Sequence, residues 1–225
     1  MFINIPNIFL EDTEYRLDSD ELYLYYFLCL NELKWFPKTM ILSIDIISAQ
    51  INLLKDENQN KDRIENVLRS LREKNIIRFK DVKTSATGKL KNNVPIIIQK
   101  HDDDLYNRGY EKIDFSVFEQ IKDIPINQRS TAFLICCYIL KVKRKISYPE
   151  WSSVLNLSEK QAKNIIKKIN ESEIIEKITG RPYVNENGQV KREPNSYAVP
   201  DKHVLPSAEQ DTETEEKVGD NINWG

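Results

Sequence analysis

Glycine is the first shortage in this chain, with six in 225 residues and no cluster of them. Without a glycine-rich turn, no loop brings backbone N–H groups around a phosphate, which excludes the nucleotide-binding classes built on one. Histidine is rarer, with two, and the three cysteines (Cys29, Cys136 and Cys137) lie in apolar helical stretches with no pair at zinc spacing. His101 beside Asp102, Asp103 and Asp104 looks like a metal site on paper but reads better as a solvated linker. An odd cysteine count suits a reducing compartment. Long apolar runs are also missing. The longest, residues 132–140, is far short of the ~20 residues that span a bilayer. No basic segment precedes the first apolar residues, and Pro6 interrupts them, so no signal peptide is predicted. No nucleophile–base arrangement assembles and no cofactor is called for, which makes an enzyme the least favoured class. The expected location is the cytoplasm, in association with the nucleoid, without membrane contact.

What the chain does have is one message written twice. Residues 63–79 and 161–177 superimpose without a gap, 98 positions apart (Ile64 on Ala162). Ile64, Val67, Leu68 and Leu71 fall on Ala162, Ile165, Ile166 and Ile169. Asn66 falls on Asn164, Arg69 on Lys167, Glu73 on Glu171, and Ile76-Ile77 on Ile174-Ile175. Each copy has apolar residues at i, i+3, i+4 and i+7, followed by a short β-branched run. A helix that feeds a strand and a polar hairpin is the recognition unit of a winged helix. The fold class expected is therefore α+β, mainly helical, with two winged helices in tandem. Residues 1–100 form the first, 101–109 a linker, 110–200 the second, and 201–225 a disordered acidic tail poor in large apolar groups.

The net charge of −2 conceals a strong segregation. Residues 61–91 hold 10 basic and 4 acidic side chains, and residues 141–192 hold 12 and 6, whereas residues 1–60 hold 4 and 10. Both basic blocks coincide with a predicted recognition helix and wing, the footprint expected of a duplex binder. The outward positions in the first block are Arg63, Asn66, Arg69 and Ser70, with Lys80, Lys83, Lys89 and Lys91 in the wing. In the second they are Lys160, Lys163, Asn164, Lys167 and Lys168, with Arg181, Lys191 and Arg192 in the wing. Lys and Arg neutralise phosphates or read guanine, and Asn bonds an adenine edge. A single charge on an amphipathic helix usually just solvates it; two coincident blocks on the same unit argue for more.

Local signals place the remaining elements. Asp18 to Glu21 supply a helix start, with Leu22, Tyr26, Cys29, Leu30 and Leu33 as its apolar stripe. A strand is expected at 39–42, a second helix at 45–53, a polar loop at 58–60, and hairpin strands at 76–80 and 94–99 around a wing turned by Gly88. In the second unit, residues 110–123 read as a strand and a short helix, and 130–143 as a long helix ending in the basic run 141–145. Pro149 opens a helix carrying Trp151, Val154 and Leu155. Ser158 and Gln161 form a capping box. Strands at 174–179 and 196–199 flank a wing with an Asn187-Gly188 turn. Tyr148 and Trp151 read as core rather than as base-stacking residues. The second unit is the stronger DNA reader, because the acidic stretch Lys55-Asp56-Glu57 lengthens the connection in the first, which leaves two roles open to that unit, DNA binding or mainly dimerisation.

Ile5-Pro6-Asn7, Phe9-Leu10, Leu17, Asp20-Glu21-Leu22, Leu24 and Trp35-Phe36-Pro37 resemble the N-terminal winged helix of DnaD-like primosomal proteins and related plasmid replication initiators. The resemblance covers about the first third of the chain. It implies replication initiation on a plasmid, phage or integrated element, and an N-terminal unit that oligomerises. The second half departs from it, carrying a second winged helix in place of a helical domain. The expected partners are double-stranded DNA, a second copy or higher oligomer in which the arm 1–10 helps pair subunits, and a replication protein docked on the acidic tail. A transcriptional regulator and a protein–protein adaptor that does not touch DNA are the alternatives.

Overall fold

The computed structural model describes residues 1–200 apart from 12, 81–83, 85–87 and 102. The fold is α+β and mainly helical, and none of its described helices is long and apolar enough to cross a membrane. The first half runs β1 (Phe2–Pro6), a 3-10 turn (Asn7–Leu10), α1 (Ser19–Leu30), β2 (Thr39–Leu42), α2 (Ile44–Gln50), α3 (Glu57–Glu73), β3 (Ile77–Arg78) and β4 (Ile96–Lys100). A second 3-10 turn, Asp103–Arg108, leads to β5 (Tyr110–Asp114), α4 (Phe115–Ile121), α5 (Ile126–Val142), α6 (Tyr148–Leu155) and α7 (Glu159–Glu171). Then come β6 (Glu176–Ile178), β7 (Pro182–Val184), β8 (Val190–Arg192) and β9 (Ser196–Ala198).

The halves share one topology. In the first, an antiparallel sheet has the order β2-β4-β3, so the strand before α2 lies beside the far arm of the hairpin. In the second, β6 pairs with β9, and the place of β2 is taken by one bridge between Ile146 and Asn195. Ser43 and Ser147 then cap the next helix in each half. Both third helices end alike. Asn75 and Glu173, 98 positions apart, adopt left-handed backbone (φ 57° and 55°) before a buried isoleucine pair. Asparagine tolerates that conformation better than glutamate, so the second copy carries the greater backbone strain.

Like elements also meet like across the middle. β1 pairs antiparallel with β5 over five residues, from Phe2 opposite Asp114 to Pro6 opposite Tyr110. Buried Ile5 corresponds to buried Ile113, 108 positions on, and the 3-10 turn beginning at Asn7 corresponds to α4 beginning at Phe115. Helices α1 and α5 pack on each other as well. An antiparallel pair of equivalent strands has an approximate two-fold axis between them, so the halves sit back to back about β1 and β5. Tyr23 stacks on Phe118 (ring centroids 5.0 Å) and Tyr26 lies against Phe133 (4.8 Å), so one apolar core runs through both halves. Burial pushes the Cys136 thiol up to about 12 and Cys137 well above the ordinary value, so both pack as small apolar groups.

Several boundaries differ from the sequence reading, each for a local reason. Residues 58–60 are not a loop: Asp56 caps the amide of Gln59 and α3 starts at Glu57. Asn60 is buried within it, accepting from the amides of Leu53 and Leu54 and donating to Ser48 Oγ. A polar triplet that looked like a loop is thus the lock between α2 and α3. The helix expected at 45–53 stops at Gln50, with Ile51 and Leu53 buried beyond its end. Helix α5 begins at Ile126, earlier than the expected 130. The single stripe read on α1 is too narrow, because α1 lies between α3 and α5 and is buried continuously from Glu21 to Cys29. The arm 1–10, expected to pair subunits, is taken up within the chain by β5. Residues 101–109 hold a packed 3-10 turn with Leu105 buried. Lys83 and the tail 201–225 lie outside the described residues.

Candidate nucleic-acid interface

Helix α7 is fixed at both ends. Asn156 turns the chain in left-handed conformation, and Ser158 and Gln161 close the expected capping box. Ala162, Ile166 and Ile169 are fully buried, which aims the opposite side outward. Along that side Lys160, Asn164 and Lys167 succeed one another at i, i+4 and i+7, flanked by Lys163 and Lys168, and all five are exposed. Little within the chain satisfies them. Lys167 has a loose contact with Glu171 (3.6 Å, both well exposed), and Lys163 lies 5.8 Å above the Tyr148 ring. The side chains of Lys160, Asn164 and Lys168 have no hydrogen-bond or ion-pair partner among the described residues. Trp151 is fully buried edge-on to Tyr197, and so belongs to the scaffold under the helix.

Beyond β6 and β9 the chain continues as an outer ribbon, β7 paired with β8 (Tyr183 opposite Lys191), turned at Asn187-Gly188 with Gly188 at φ 74°. Every residue of both strands is exposed. Arg181, Lys191 and Arg192 are gathered near its base, where Pro182 faces Arg192. The neck is tight: a Cβ on Gly180 would lie 2.0 Å from the Glu193 carbonyl oxygen. The sequence reading marked the Asn187-Gly188 turn of this outer tier but assigned no strands on either side of it.

The basic run 141–145 is spent internally. Lys141 pairs with Glu11 (3.1 Å), Lys143 with Glu111 (3.2 Å), Arg144 with Glu150 (2.8 Å) and Lys145 with Glu193 (2.6 Å). Lys145 holds the Glu193 carboxyl below its ordinary range through that hydrogen bond.

The first half treats its cations likewise. Arg63 turns back to Asp20 (2.7 Å) rather than outward. Arg69 donates to the buried carboxylate of Glu65 (2.7 Å) and to the Gly88 carbonyl, while Glu65 also accepts from the Leu90 amide. Ser70 donates to Glu21, which also holds Lys74. Lys89 pairs with Asp62 (2.8 Å), and that hydrogen bond raises its pKa. Asn66, Lys80 and Lys91 are exposed, and their side chains have no hydrogen-bond or ion-pair partner among the described residues. The structure therefore brings the second-half candidates together on an open helix face and an open ribbon, and ties four of the first-half candidates to acids. Glu65 and Asp62 were missed as neutralising groups, although Glu65 to Arg69 is i, i+4 spacing, the signal for such a pair.

Among the described residues no group of three or more His, Cys, Asp or Glu side chains is arranged to hold a metal ion. His101 lies instead against the Arg78 guanidinium and the Asn75 carbonyl. No family model, curated protein or solved structure matches the chain.

Proposed function

We propose that both halves are winged helices and that the second binds double-stranded DNA, with α7 in the major groove and the β7–β8 ribbon against the flanking backbone. The shared helix and strand order of the halves supports the fold reading. One observation carries the function: α7 presents four lysines around Asn164, and among the described residues the only carboxylate at ion-pair distance from any of them is the loosely held Glu171. In the run 141–145 and at Arg63, Arg69 and Lys89 the chain neutralises its cations with its own acids, so an open cluster is the surface a polyanion meets without displacing an internal partner. The first half braces α6, Arg16 donating to the Ser153 and Val154 carbonyls, and supplies a surface for self-association. The likeness of residues 5–37 to primosomal proteins supports a role in replication initiation on a mobile element, with residues 201–225 as the docking segment for another replication protein.

The test is fluorescence anisotropy of the full chain on labelled duplex across a salt series. The logarithm of affinity is expected to fall linearly with the logarithm of salt, by about 0.9 per phosphate neutralised. Joint reversal of Lys163→Glu and Lys167→Glu is expected to weaken binding by about 100-fold or more, with an unchanged circular dichroism spectrum. Salt-independent binding, or an affinity indifferent to the reversal, refutes the reading.

A further inference from the structure

We infer that Asn164 is the residue that sets base preference, and that it reads an adenine in the major groove while the surrounding lysines grip backbone; this rests on the duplex reading above. Four residues share the outward line of α7: Lys160, Asn164, Lys167 and Glu171. Three carry full charges. A lysine offers only donors, which match phosphate or guanine, and a carboxylate offers only acceptors. Asn164 alone on that line carries a donor and an acceptor in one plane, matching the N6 amino group and N7 of adenine.

Its surroundings leave it free for that task. Asparagine is a poorer helix former than lysine or alanine, because its amide competes for backbone groups. The usual compensation is a local hydrogen bond, as buried Asn60 makes with Ser48 and the Leu53 amide. Asn164 is exposed in mid-helix with no such partner among the described residues, and lysines lie one position before it and three after. The corresponding residue of the first half, Asn66, is exposed too, but its neighbours cancel. Asp62, which occupies the place of Lys160, pairs with Lys89, and Arg69 is held by Glu65. The adenine-reading amide thus has its phosphate clamp only on α7.

The experiment starts from a pool of duplexes with a randomised core, enriched on the full chain. In the retained duplex each adenine is replaced in turn by 7-deazaadenine, which lacks the N7 acceptor. One replacement is expected to weaken binding on the order of ten-fold. Asn164→Ala is expected to erase that sensitivity, and Asn164→Gln to restore part of it, since glutamine carries the same amide. Alanine is the better helix former, so the fold survives the first change. The inference is overturned if the sensitivity survives in Asn164→Ala, if Asn66→Ala removes it instead, or if the pool yields duplexes with no adenine preference. Those three results leave duplex binding standing; a pool from which nothing is retained at any salt overturns both.

Discussion

Helices α3 and α7 are the same object seen from the core and opposite objects seen from solvent. Buried Ile64, Leu68 and Leu71 correspond to buried Ala162, Ile166 and Ile169, and each helix ends in a left-handed residue and an isoleucine pair. Outward, Asp62 stands where α7 has Lys160, and Arg69, in the place of Lys167, is clamped by a buried glutamate. A cation with a carboxylate at 2.7–2.8 Å surrenders that partner before it takes up a phosphate, so its net gain from DNA is small. A repeat in the seam of a helix therefore says nothing about the chemistry on its far side. Counting basic residues put the two helices level; counting their partners separates them.

The largest expected effect tests whether the two regions are one body. Trp151→Ala removes the buried floor under α7 and is expected to cost about 3–5 kcal/mol, read by denaturant unfolding. Because one core spans both halves, a single transition is expected to move as a whole. A transition that splits in two would show that the halves stand apart.

Next comes acid. Burial works against the charge on Glu11, but hydrogen bonds from Lys141 and Arg108 outweigh it and lower its pKa; the Ser116 amide, with the N-terminal ammonium, lowers that of Asp114. A folded pKa below the ordinary 4.5 or 3.8 gives stabilisation that is complete above that value and is lost as pH falls through the depressed one. Melting temperatures are expected to hold from pH 7 to about 5 and to drop below about 4 as the ties around β1 and β5 release. A flat profile down to pH 3 would remove these acids from the account.

Asp62→Lys gives α3 the residue that α7 has. It is expected to steepen the salt dependence by about 0.9 of a log unit per log unit and to raise affinity several-fold if α3 faces the duplex. An unchanged slope would confine contact to the second half. The smallest effect is expected from Lys80→Glu with Lys91→Glu, which should alter affinity by less than about threefold, against the hundredfold loss from the α7 reversal.

How much of this was legible beforehand divides along physical lines. The third helices, the Ser158 capping box and the strand at 39–42 were readable because each follows from spacing and local hydrogen bonds within a few residues. The pairing of β1 with β5 was not, since nothing in Phe2–Pro6 names a partner 108 positions away. For the same reason α1 showed a single stripe while two helices cover it. At the candidate site the residue types were readable and their engagement was not: Arg63 and Lys163 look alike in sequence, and only folding brings Asp20 beside the first.

The bare α-carbon of Gly180 bears on how the ribbon is aimed. The strand leaves the body there with a carbonyl so close that no methyl group fits. The direction of the arm is thus decided at its shoulder rather than at its fingertips. Exchanging residues near Asn187 alters what the arm touches, whereas any side chain at 180 swings Lys191 and Arg192 together to a new bearing and leaves their charges intact.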